Sequence, residues 1–280
     1  MIQQLRADYN IKRLCRCLGV SRSGYYAWCS RKPSIRTQRH QSLLKLITQS
    51  FNTNNQTYGY PRVYHDLKDT GIAVGRHQVA SLMREHGLVA KMKRKISCHA
   101  RMKRFYSDEA SRIGRCPSPE NKNAIWVGDI TQINTVQQPF FLAAVMDRFT
   151  RRLIGVAMSE RRTSSLVCRA LQQAVNARPD TNVGLFHSDQ GVEYASYRYR
   201  DLLEENNIAR SISRRGNCYD NAHMESFFHS LKTEMIYFEN FVSPQFGMKK
   251  VKEYIKYYNE KRRHSSLGYL SPVQFERTMN

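Results

Sequence analysis

The chain has 280 residues, and 45 Lys plus Arg against 23 Asp plus Glu give a formal net charge of +22. That length is a prior for about two domains with at least one buried core. No apolar run approaches the roughly 18 residues of a membrane span, which excludes a transmembrane protein, and MIQQLRADYN has no apolar signal region, so the expected compartment is the cytoplasm. Seven scattered cysteines without a C-x-x-C pair argue against a disulfide framework and a zinc finger, so no zinc is expected. A cytoplasmic chain this basic meets a polyanion, which means nucleic acid.

The charge is uneven: residues 1 to 120 hold 23 basic and 7 acidic residues, and 121 to 280 hold 22 and 16. The first half therefore carries the electrostatic footprint. Ile11, Leu14 and Leu18 mark one helical face, closed by Gly19, and Ser21 is placed to cap a second short helix. Tyr58, Gly59, Tyr60 and Pro61 read as a turn with two packing aromatics that starts a helix carrying Val63 and Leu67, stopped at Gly71. Arg76 to His86 forms the next helix, with Val79, Leu82 and Met83 apolar and Gly87 closing it. Two helices joined by a tight turn can set the second in the major groove, so Arg76, His77, Gln78, Ser81 and Arg84 are candidate DNA contacts. A dense basic stretch with Lys93, Arg94 and Lys95 follows, then a Gly/Pro/Ser segment at 114 to 119 that reads as a linker. The expected domains are a helical DNA-binding region at 1–50, a helix-turn-helix unit with basic linker at 51–119, and a core at 120–280.

Past the linker the pattern turns β-rich. Three sequential antiparallel strands are predicted at 124–135, 139–149 and 153–158, then a helix at 164–178, a strand at 183–186, a helix at 198–206, a strand at 208–212 and a long helix at 221–235. This order is that of a ribonuclease-H-like mixed α/β core. Three acids stand out in it. Asp129 lies in a strand with two largely apolar faces, where an unpartnered carboxylate is costly and a metal ion or cation would relieve it. Asp189 ends an apolar strand, where such folds present functional groups. Glu225 sits at the rim of the stripe Met224, Phe228, Leu231 and Met235, whereas Glu234 points to nearly the opposite side and Lys232 lies two turns along from Glu225. Phosphodiester attack calls for stabilised entering and leaving oxygens, which two carboxylate-held divalent ions supply. Asp147, among Arg148, Arg151 and Arg152, reads as a structural ion pair. Asn221 or Asp220 is a plausible cap for the long helix, and Lys261, Arg262 and Arg263 read as backbone-contacting residues of a basic tail.

The Asp189-to-Glu225 interval with Lys232, together with WVGDIT, HSDQG, RRGNCYDNAHMESFFHSLKTE and YIKYYNEKRRHSSLGYLSPVQFE, closely resembles the DDE transposases of the bacterial IS-three insertion-sequence family, whose downstream reading frame carries a retroviral-integrase-like core. The resemblance spans nearly the whole chain. It implies an acid triad of Asp129, Asp189 and Glu225, two Mg2+ ions per site with Mn2+ able to substitute, and strand cleavage and transfer at terminal inverted repeats. It also implies double-stranded end and target DNA as partners, self-association into a dimer or larger assembly on DNA, a nucleoid-associated location, and Lys232 holding a DNA end. Gln190 stands where the family commonly has Arg. A ribonuclease-H-like nuclease and a non-catalytic DNA-binding regulator are the rival functions.

Overall fold

A computed structural model describes residues 1–91, 119–179, 181–189, 191–212 and 221–279. Lys93, Arg94, Lys95, Gln190 and Asp220 lie outside the described residues. The N-terminal helices are α1 (Ile2–Leu5), α2 (Ile11–Cys17) and α3 (Arg22–Ser30). Asn10 caps α2 by accepting from Lys12 N–H, and Ser21 caps α3 by accepting from Gly24 N–H, so the turn between them is set by local polar chemistry. Only Cys15 and Tyr25 are buried in these three helices.

The next unit is better packed. Helix α4 (Ile35–Thr53) meets α5 (Tyr60–Asp69) and α6 (Arg76–Glu85), and Leu43, Ile47, Phe51, Tyr58, Val63, Leu67, Val79, Leu82 and Met83 form one core. The expected domain boundary at 50 therefore falls inside a helix, and the helix-turn-helix unit starts with α4 because its apolar stripe is what α5 and α6 cover.

The larger region is built on a five-stranded sheet of β1 (Ile125–Ile133), β2 (Phe140–Asp147), β3 (Leu153–Ser159), β4 (Leu185–Ser188) and β5 (Ala209–Ile212), in the order β3-β2-β1-β4-β5. Strands β1 to β3 run antiparallel, and β4 and β5 run parallel to β1. The helices are α7 (Ser164–Asn176), α8 (Tyr197–Glu205), α9 (Ala222–Glu234), α10 (Pro244–Glu260) and α11 (Pro272–Arg277). One face of the sheet, with Ile125, Val127 and Ile133, packs on α9 and α10 through Met224, Phe227, Phe228, Leu231, Val251 and Tyr258. The other, with Trp126 and Phe186, packs on α7 and α8. Gly128 has to be glycine, since a Cβ there would sit 2.5 Å from the Phe186 ring.

Two readings of charge are corrected by this packing. Asp147 is fully buried; its backbone bonds Arg151 and Arg152, while hydrogen bonds from Thr150 and Phe149 hold its carboxylate. Thr150 Oγ1 donates to it at 2.7 Å and Phe149 N–H at 3.1 Å, closing the β2–β3 turn, while Arg152 pairs with Glu276 instead. The C-terminal basic run is not a free tail. Arg262 bonds Glu234 through Nε at 2.8 Å and Nη2 at 2.6 Å, and Arg263 reaches Asp66 at 2.5 Å and Asp69 at 2.6 Å on α5. Both side chains are under a tenth exposed, so their charges are neutralised inside the protein and neither is offered to a phosphate. Only Lys261 of the three is exposed.

These bonds weld the helix-turn-helix unit to the core. Tyr58 Oη donates to the Lys261 carbonyl at 3.0 Å and accepts Arg263 N–H at 2.9 Å, and Arg62 lies 3.6 Å from Glu234. No helix among the described residues is long and apolar enough to cross a membrane.

Candidate active site

Asp129 is held by the central strand. The pleat turns odd-numbered residues of β1 toward α9, so its carboxylate follows Val127 onto that face. Asp189 directly follows β4, the parallel neighbour of β1, and so emerges at the same end of the sheet. Glu225 is in the first turn of α9, exposed to solvent. Asn221, at the start of that helix, does not cap it. Its Nδ2 donates to the Gly128 carbonyl at 3.2 Å and so pins the first turn of α9 to β1 beside Asp129.

The charges of Asp189 and Glu225 both act on Asp129. The Asp129 carboxyl is pushed up to about 7, first by burial and then by the negative charges of Asp189 and Glu225, against the Ile130 N–H and Arg162. One oxygen of Asp129 accepts Ile130 N–H at 2.7 Å, and one of Asp189 accepts Gly191 N–H at 3.0 Å. The loop at Gly191 is crowded, since a Cβ there would lie 2.9 Å from Asp189 Oδ1 and 3.0 Å from Glu193 Oε2. Among the described residues no three His, Cys, Asp or Glu side chains are gathered closely enough to hold a metal ion as they stand. The donor chemistry nonetheless fits a hard divalent cation: the acids offer only oxygen ligands, and the repulsion felt at Asp129 is what such a cation relieves. Glu225 is exposed.

Around this centre, His187 Nδ1 lies 2.9 Å from Ser211 Oγ. The His223 imidazole is pushed down to about 4 by burial and then by Arg151 and Arg148, which keeps it neutral near pH 7. Lys232 is half-buried on α9. The α6 candidates divide by exposure: Arg76, His77 and Arg84 are exposed, while Gln78 and Ser81 are partly covered, with Ser81 Oγ donating to Glu85 at 2.8 Å. His77, Gln78 and Ser81 line one concavity with Arg36, Arg39 and His40 of α4, which sequence reasoning missed because α4 was not assigned to this unit. Glu193 and Arg162, from two loops 31 residues apart, were also missed, and no sequence spacing signals their pairing.

Comparison with known proteins follows the same division. The integrase core domain family matches residues 119–218, a second integrase core domain family matches 225–279, and an HTH-like domain matches 38–95. The chain is 38% identical over 288 residues to the transposase InsF for insertion sequence IS3A of Escherichia coli (strain K12), covering 98% of this chain and 96% of the relative. It is 37% identical to the insertion element IS600 uncharacterized 31 kDa protein of Shigella sonnei, covering 94% and 97%. Among solved structures, the simian T-cell lymphotropic virus intasome in complex with PP2A regulatory subunit B56 gamma aligns at a TM-score of 0.50 with 14% identity, over 82% of this chain and 74% of that one, a likeness of fold. With its helix-turn-helix unit, its integrase core and this identity over nearly its full length, the chain belongs to the IS3 family of insertion-sequence transposases.

Proposed function

We propose that this transposase cleaves DNA strands at the terminal inverted repeats of its insertion sequence and joins them to target DNA, with Asp129, Asp189 and Glu225 holding two Mg2+ ions, or Mn2+ in their place. The observation that carries the reading is a buried carboxylate on β1 whose burial, and then the negative charges of Asp189 at the end of β4 and Glu225 in the first turn of α9, push Asp129 up to about 7. Proteins neutralise charges they use for structure, and they set like charges against each other where function requires it. When bound, the ions would supply charge stabilisation for the entering and leaving oxygens of the phosphodiester.

The protein's own part is positioning. Asp129 is fixed by the sheet and its Ile130 N–H bond, Asp189 by the Gly191 N–H, and the start of α9 by Asn221. Lys232 would hold a DNA end along α9. Arg76, His77, Gln78, Ser81 and Arg84 would lie against end DNA, with Lys93, Arg94, Lys95 and Lys261 adding phosphate contacts. The regions 1–50 and 51–119, with the boundary moved back to the start of α4, would supply binding and 120–280 chemistry. Two ends joined in one event call for at least two protomers on DNA.

Product analysis tests the reading. Full chain with Mg2+ on DNA carrying the element ends should yield joined strands. Cleavage without joining would favour a nuclease, and binding without cleavage a regulator.

A further inference from the structure

At the edge of the acid site lies an ion pair that the triad does not account for. Arg162, in the turn between β3 and α7, grips Glu193, in the loop after β4, through Nε to Oε1 at 2.6 Å and Nη2 to Oε2 at 3.2 Å. The pair is lopsided: the Glu193 side chain is 7% exposed and that of Arg162 is 47% exposed. A buried carboxylate is spent on holding a guanidinium that stays open to solvent, and the guanidinium keeps N–H donors outside the fork.

Its place is fixed relative to the acids. Glu193 Oε2 and Asp189 Oδ1 both approach the same point above Gly191, and the Arg162 charge interacts with Asp189 and Asp129 after Glu193 itself. Arg262 and Glu234 are both buried, at 7% and 4% exposure, while the Arg152–Glu276 tie is uneven at 35% and 8%, so what sets Arg162 apart is its open guanidinium standing beside the acids. A DNA strand entering a site with four carboxylates meets net repulsion, and a preoriented arginine beside them is the group suited to receive a phosphate oxygen.

We propose that Arg162 is a catalytic residue of this site, oriented by the buried Glu193 to contact a phosphate of the DNA strand that lies against Asp129 and Asp189. The proposal rests on reading the site as a strand-transfer centre, so its test is a binding measurement scored apart from chemistry. Duplexes carrying the element end, with phosphates near the cleaved bond replaced one at a time by neutral methylphosphonate, are titrated with full chain in Ca2+. At one position neutralisation should weaken wild-type binding about tenfold, the scale of one charge-assisted contact. Arg162→Gln should lose the same factor on unmodified DNA and lose nothing further at that position. Arg162→Lys should recover part of the affinity, and unchanged melting temperatures would show that both variants fold. Wild-type affinity for Arg162→Gln, or losses that multiply independently at every phosphate, would overturn the proposal. Binding without strand joining by the wild type would instead count against the strand-transfer reading, leaving the phosphate cycle to decide the arginine.

Discussion

The two ends of α9 carry one glutamate each, and the protein treats them in opposite ways. Glu225 in the first turn is exposed and its charge acts on Asp129, whereas Glu234 in the last turn is 4% exposed, gripped by Arg262 and bonded by Tyr254 Oη at 2.9 Å. Burial alone would raise the Glu234 carboxyl, yet Arg262 and Arg62 outweigh it and hold it below its usual range. At Asp129 burial and neighbouring acids act in the same direction and push the group up. The contrast separates a charge satisfied for structure from charges left in tension, and only the second arrangement has use for an added cation.

The largest effect that would sharpen this contrast falls on activity. Replacing Asp129, Asp189 or Glu225 by its amide should lower strand joining by orders of magnitude in a gel assay, with end-DNA affinity near normal, because each removes a negative ligand while the basic N-terminal half is untouched. At the other end of the helix the effect falls on stability. Glu234→Gln or Arg262→Ala leaves a buried charge without its partner and should cost about 3–5 kcal/mol in denaturant unfolding. Arg263→Ala should cost less, since its partner Asp69 is half exposed, and its loss should loosen the helix-turn-helix unit from the core as increased proteolysis near α5.

A smaller effect concerns pH. Asp129 titrates near 7 in the fold against an ordinary 3.8, so folding favours its neutral form. That contribution is fully present below about 3.8 and is lost as pH rises through about 7. Asp129→Asn should therefore raise the melting temperature of the metal-free protein at pH 8, by on the order of 1–3 kcal/mol in stability, with the gain shrinking toward pH 5. Added Mg2+ should stabilise the wild type more at pH 8 than at pH 6, since Asp129 must lose its proton to serve as a ligand.

Much of this was legible in the chain, and the rest was hidden for physical reasons. The strand and helix order of the core follows from local apolar periodicity, and Asp129 announced itself as a charge in a strand apolar on both faces. Strand β4 begins two residues later than its pattern predicts because Val183 is buried without joining the ladder. What the pattern could not give was which polar faces meet across the fold. Helical geometry put Glu234 nearly opposite Glu225 but could not show what covers that side: Tyr254 of α10, Arg262 of the loop after it, and Arg62 of α5. Arg262 and Arg263 looked like a tail because their partners, Glu234 on α9 and Asp66 on α5, are 28 and 197 residues away in sequence.

The most direct test compares the two glutamates of α9 in matched experiments, melting each variant and assaying strand joining by the folded protein in Mg2+. Glu225→Gln should melt at or above the wild-type temperature and join no strands, while Glu234→Gln should melt several degrees lower and, below that temperature, still join them. Retained joining by Glu225→Gln, or a melting temperature for Glu234→Gln equal to that of the wild type, would contradict the account.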